Sequence, residues 1–110
     1  MPESRAYSNY TGDALSLLGQ LIKLGRQKRK WSADELAERV GISRPTLRKI
    51  EKGFPNCSIG LVFEAAYLVG IPLFDLDAKS IAYHLTHTAD LLTLLPQSIR
   101  TGDRDVDDDF

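Results

Sequence analysis

"WSADELAERVGISRPTLRKIEKG", residues 31–53, carries two helix starts and two helix stops in close succession. Ser32 is followed three residues later by Glu35, the S-x-x-E pattern of a capping box, and Trp31 and Leu36 flank it at the spacing of a hydrophobic staple. Gly41 suits the left-handed residue that ends a helix. The pattern repeats at once: Ser43 caps, Ile42 and Leu47 form the second staple, and Pro45 sits in the first turn, where its missing N–H costs nothing. Gly53 then stops the second helix. With only about three residues between them, two such helices cannot run back antiparallel, so they cross steeply in a helix-turn-helix arrangement. Ala37, Val40, Ile42, Leu47 and Ile50 face into the angle, and Ala37 is small enough to let the second helix approach.

Working outward, Leu15, Leu18, Leu21 and Ile22 fall at helical spacing, so a helix is predicted from about Gly12 to Arg29. Gly19 and Gly25 inside it each cost about 1 kcal/mol relative to alanine, and packing has to compensate. Downstream, Ser58 is expected to cap a helix whose core face is Ile59, Val62, Phe63, Ala66 and Val69 and which ends at Gly70, before Pro72. Asp77 caps a fifth helix running to Leu95, with Leu76 and Ile81 as its staple. The predicted fold is all-α, five helices. Residues 1–11 form a flexible arm, 12–76 the helix-turn-helix domain, 77–96 a C-terminal helix for dimerisation, and 97–110 a disordered acidic tail.

The chain has 110 residues, 43% of them hydrophobic, with 14 basic against 15 acidic side chains. This near-neutrality conceals a strong segregation. Between Lys23 and Lys52 there are ten Lys/Arg and four Asp/Glu, a net +6, whereas the last ten residues hold five aspartates and one arginine. A single cysteine, Cys57, excludes an intramolecular disulfide framework and a Cys-rich zinc site. No signal segment and no apolar run of membrane-spanning length is present, so a cytosolic protein is expected. His84, His87 and Asp90 are spaced along one helix, but a structural zinc site wants four ligands; ordinary surface histidines are the simpler reading. With no phosphate loop and no nucleophile–histidine pairing in a recognisable context, neither catalysis nor a cofactor is expected.

With its apolar residues turned inward, the third helix presents Ser43, Arg44, Pro45, Arg48, Lys49 and Lys52 to solvent. Arg44 and Arg48, four apart near the N-terminal half, stand where a recognition helix meets base edges in the major groove, and the planar arginine fork matches guanine O6 and N7. A basic helix face is ordinarily just a solvated one; its coincidence with the second helix of the motif favours the nucleic-acid reading. Lys28, Arg29 and Lys30 would seat the domain on phosphates, although cations at a helix end also complement its dipole.

"SADELAERVGISRPTLRKIEKG" and the following "SIGLVFEAAYLVGIPLFDL" resemble the lambda-repressor/Cro-like, or Xre, family of helix-turn-helix regulators over roughly Leu15 to Leu76. Ala37, Gly41, Leu47, Ile50, Glu51, Gly53, Ser58 and Gly70 stand at that family's positions. The resemblance implies a bacterial, nucleoid-associated DNA-binding protein. By it, Arg44, Pro45, Arg48 and Lys49 read bases, while Ser43, Thr46, Lys52 and Asn56 face phosphates. The glutamine that often opens the family's second helix is Ala33 here, leaving Ser32 and backbone amides at that corner. The last third is similar to HipB-like antitoxins, which repress their own operon and bind a HipA-type serine/threonine kinase toxin.

Such domains bind in pairs on half-sites about one helical turn apart, so a palindromic operator on double-stranded DNA and a homodimer are expected. Ile81, Leu85, Ala89, Leu91, Leu92, Leu94 and Leu95 offer more apolar width than one side of a small core needs; packing on the first and fourth helices is the alternative use for it. Three uses remain open for the acidic tail: competing with phosphates, binding a protein partner through Asp107, Asp108, Asp109 and Phe110, or solubilising a free end. A stand-alone regulator, or an interaction module that has lost DNA binding, are the other readings of the whole chain.

Overall fold

The structure, a computed structural model, describes residues 6–96. Five α-helices and one short 3₁₀ turn, with no strand among the described residues, make up the chain: α1 Asn9–Lys28, α2 Ala33–Val40, α3 Arg44–Glu51, α4 Ile59–Leu68, the 3₁₀ turn Leu73–Asp75, and α5 Ala78–Thr93. They divide into two compact units, residues 1–75 and 76–110. The expected tail, 97–110, lies outside the described residues.

Local signals decide most of the boundaries. Ser32 accepts from the Glu35 N–H at 3.1 Å while Glu35 Oε1 accepts from the Ser32 N–H at 2.8 Å, so the capping box closes in both directions. Gly41 takes φ 87°, and the Gly41 and Ile42 N–H groups close back on the Ala37 carbonyl. Ser43 caps α3 by accepting from the Thr46 N–H at 3.2 Å. Two boundaries differ from expectation. α1 begins at Asn9 rather than Gly12, because Ser8 accepts from the Thr11 N–H and pulls part of the supposed arm into the helix. Ser58 precedes α4 without any side-chain capping bond.

In the first unit, α1 to α4 enclose Ile22, Leu36, Ala37, Leu47, Ile50, Ala65, Ala66 and Val69. Trp31, Val40, Ile42, Leu18 and Val62 pack around that cluster. The expected core face of α4 holds at Ala66 and Val69, which are buried, and at Val62 and Phe63, which are half-buried, but not at Ile59, which is 68% exposed; Ala65 is buried in addition. "IGLVFEAAYL" is apolar nearly all round, so periodicity alone leaves the edges of that face open. The glycines of α1 now have their explanation. A Cβ on Gly19 would lie 2.6 Å from the Ile50 and Glu51 carbonyl oxygens, so Gly19 lets α1 lie directly against the end of α3. Gly53, at φ 77°, makes the matching approach from the other side, against the Leu15 carbonyl.

The second unit, as described, is α5. Asp77 caps it by accepting from the Ser80 N–H at 2.8 Å. That bond holds the carboxyl below its ordinary range, so the cap persists until strong acid protonates it. The helix closes at Thr93, two residues before the expected Leu95, and holds no buried residue; Leu85, Leu92 and Leu94 are largely exposed.

Candidate nucleic-acid interface

α3 owes its orientation to two buried side chains, Leu47 and Ile50. Their burial turns Arg44, Pro45, Arg48 and Lys49 to the opposite face, with Lys52 at the end, all exposed. Thr46 is half-buried, and its hydroxyl lies 2.9 Å from that of Ser43, so both of these candidate phosphate contacts also tie the first turn of the helix. Ser32 is similarly occupied by the capping box of α2. Asn56 is exposed in the loop before α4.

Where α1, α2 and α3 meet, a hollow of about 240 Å³ is lined by Lys23, Arg26, Ala33, Arg44, Leu47, Arg48 and Glu51. Its charged wall is anchored by an ion pair. Arg26 Nε donates to Glu51 Oε2 at 2.7 Å and its Nη2 to Oε1 at 3.0 Å, while Nη1 donates to the Trp31 carbonyl at 3.1 Å. Arg26 is 8% exposed; the hydrogen bond to Glu51 pushes its pKa up, against burial, which works the other way. This bidentate pair neutralises two of the five charged residues around the hollow, leaving Lys23, Arg44 and Arg48 as the other cations of its lining. Arg44 Nη1 stands 3.6 Å from Asp34 Oδ2, between exposed side chains.

The Lys28–Lys30 cluster does not act as one group. Arg29 Nη1 donates to the Val69 carbonyl at 2.7 Å, tying the end of α1 to the end of α4. Arg39 lies over the Trp31 ring at 4.1 Å, with Arg29 at 5.7 Å. Lys28 and Lys30 remain exposed, Lys30 at φ 60°. Sequence reasoning passed over Arg26, Lys23 and Asp34. Arg26 had a signal: it falls four residues after Ile22 and seven after Gly19, on the buried face of α1.

On α5, His87 stacks on Tyr83 at 5.8 Å and His84 meets the same ring edge-on at 5.3 Å. Among the described residues no group of three His, Cys, Asp or Glu is placed to hold a metal. Cys57 is half-buried, and burial pushes its thiol pKa up. No helix among the described residues is long and apolar enough to cross a membrane.

A short helix fixed by a buried underside, with an arginine-rich outer face and a capped partner helix crossing behind it, defines a helix-turn-helix DNA-binding domain. The family model described as "Helix-turn-helix" matches residues 22–76, and the chain belongs to that family, in the Xre-like branch that its sequence resembles. The chain is similar to the antitoxin HipB of Escherichia coli O6:H1, 28% identical over 74 residues that cover 67% of this chain and 79% of that protein. It is also similar to a solved structure titled "MDT Protein", 25% identical with a TM-score of 0.50, covering 68% of this chain and 97% of the other.

Proposed function

We propose that the protein is a sequence-specific DNA-binding repressor that works as a homodimer on a palindromic operator in the bacterial cytoplasm. In this reading it is also the antitoxin of a toxin–antitoxin pair, autoregulating its operon and binding a kinase-type toxin. The observation that carries the DNA reading is the exposed row Arg44, Pro45, Arg48 and Lys49 on a helix whose underside is fully buried. Such a row offers bidentate donors to base edges, while Lys28, Lys30, Lys52 and Asn56 are exposed and available to phosphates. The likeness to antitoxin HipB supports the second role. The proposed partner-binding residues Asp107, Asp108, Asp109 and Phe110 lie outside the described residues.

Pairing falls to α5. Ala78, Ile81, Leu85, Thr88 and Leu92 recur at alternating spacings of three and four, the seam of a two-stranded coiled coil, and Leu95 follows just past the helix end. Ala89, Leu91 and Leu94 would widen the contact.

One experiment addresses both roles: the full chain and an Arg48→Ala/Lys49→Ala variant serve as bait for promoter DNA and for source-cell lysate. The expected result is loss of specific DNA by the variant at unchanged helical circular dichroism, with a kinase-like protein retained by both. Unchanged DNA selection would remove α3 from base reading. Absence of any such protein from the wild-type bait would leave a stand-alone regulator.

A further inference from the structure

We infer that Asp34 is a positioning residue for base reading by Arg44, and so a determinant of sequence specificity. The inference rests on the DNA-binding reading of α3. Arg44 Nη1 lies 3.6 Å from Asp34 Oδ2, across the angle between α2 and α3. Both backbones are pinned at that place. Asp34 rides on the turn closed by the Ser32–Glu35 capping box, and Arg44 on the turn closed by Ser43 and Thr46. The packing of the two helices therefore fixes the two backbones from which the charges reach toward each other.

The pair has little to do with stability. Its side chains are 57% and 70% exposed, and exposed ion pairs contribute little because water competes for both charges. Its value lies in what happens when DNA covers it. Arginine carries five N–H donors in a planar fork. A carboxylate that engages one Nη leaves the other edge free for the O6 and N7 acceptors of a guanine. Displacing water strengthens the attraction, and a guanidinium already restrained loses less rotamer freedom on reading a base. The same carboxylate repels phosphates when the domain sits out of register, which weakens nonspecific binding. Asp34 thus offsets Arg44, one of the cations that line the hollow and would attract any phosphate indiscriminately.

A simpler use for Asp34 is to complement the dipole at the start of α2. That role would change helix stability and leave base preference alone, so the two can be separated. The experiment measures binding of the full chain, Asp34→Ala, Asp34→Glu, Arg44→Ala and the double alanine variant to the operator, its single-base substitutions and random duplex. Asp34→Ala is expected to lower the ratio of operator to random affinity about tenfold. The loss should concentrate at the base pair that Arg44→Ala also relaxes, with random duplex bound more tightly at low salt. Asp34→Glu should restore much of the ratio, and Asp34→Ala should change nothing further in the Arg44→Ala background. Intact base preference in Asp34→Ala, or an equal effect without Arg44, overturns the inference. A wild-type chain with no operator preference at all overturns the DNA reading and this inference with it.

Discussion

Arg26 and Glu51 form a bidentate ion pair between side chains that are 10% and 9% exposed. They join the last turn of α1, on its buried face, to the last residue of α3, and a third bond reaches the Trp31 carbonyl ahead of α2. Three helices therefore take their mutual setting from one guanidinium. Removing one member of a buried pair strands the other charge, at a cost of about 3 kcal/mol. Glu51→Ala should therefore lower unfolding free energy by about that amount in urea titration. Replacing both residues by apolar ones of similar volume, Arg26→Met with Glu51→Leu, should cost clearly less, because no unpaired charge remains. A single substitution no worse than the double would mean that water reaches Arg26 and that the pair is not the link described.

At the scale of the element, α1 shows how packing overrides propensity. Gly12 and Gly19 belong to one helix, and intrinsic preference would favour alanine at both by about 0.5–1 kcal/mol. Nothing lies within 4 Å of a Cβ placed on Gly12, whereas one on Gly19 would meet two carbonyl oxygens of α3 at 2.6 Å. Gly12→Ala should therefore raise the melting temperature, and Gly19→Ala should lower it by forcing α1 away from α3, an overpacking cost of about 1–3 kcal/mol. Thermal unfolding followed by circular dichroism decides this; a stabilising Gly19→Ala would show that α1 shifts freely. α4 teaches the converse. Its apolar sequence left the edges of the buried face open: Ala66 and Val69 are inside as expected, Ala65 joins them, and Ile59 stays at the surface.

For the whole molecule, the division of labour follows the division of charge and apolar surface. The buried core of the first unit contains no residue of α5, and α5 carries a largely apolar seam of which no residue is buried among the described residues. Pairing of two α5 helices would bury that seam and join two copies of the first unit, and two half-sites call for two such domains. Leu85→Asp with Leu92→Asp should convert a dimer into a monomer in sedimentation equilibrium, while the unfolding transition of the first unit persists. A variant that remains dimeric would move the interface elsewhere.

How much of this was legible without coordinates follows from the range of the forces involved. Caps, staples and turn glycines act over three or four residues, and Ser32, Glu35, Gly41, Ser43, Gly53 and Asp77 could be read directly; the inward face of α3, and hence its basic outer face, came with them. Other features depend on residues far apart in sequence and are decided by approach. The Arg26–Glu51 pair spans 25 residues and the Arg29–Val69 bond 40. Arg29, read as a phosphate contact from its neighbours Lys28 and Lys30, is held on a carbonyl of another helix. Gly19 looked like a cost until the end of α3 was seen against it. Local hydrogen bonding and periodicity are written in adjacent residues, so the sequence by itself determined where the helices of the motif begin and which way α3 faces. Which charges meet, which glycine is indispensable and how far the buried face of an apolar helix extends depend on steric approach between distant segments, and only the tertiary structure decided them.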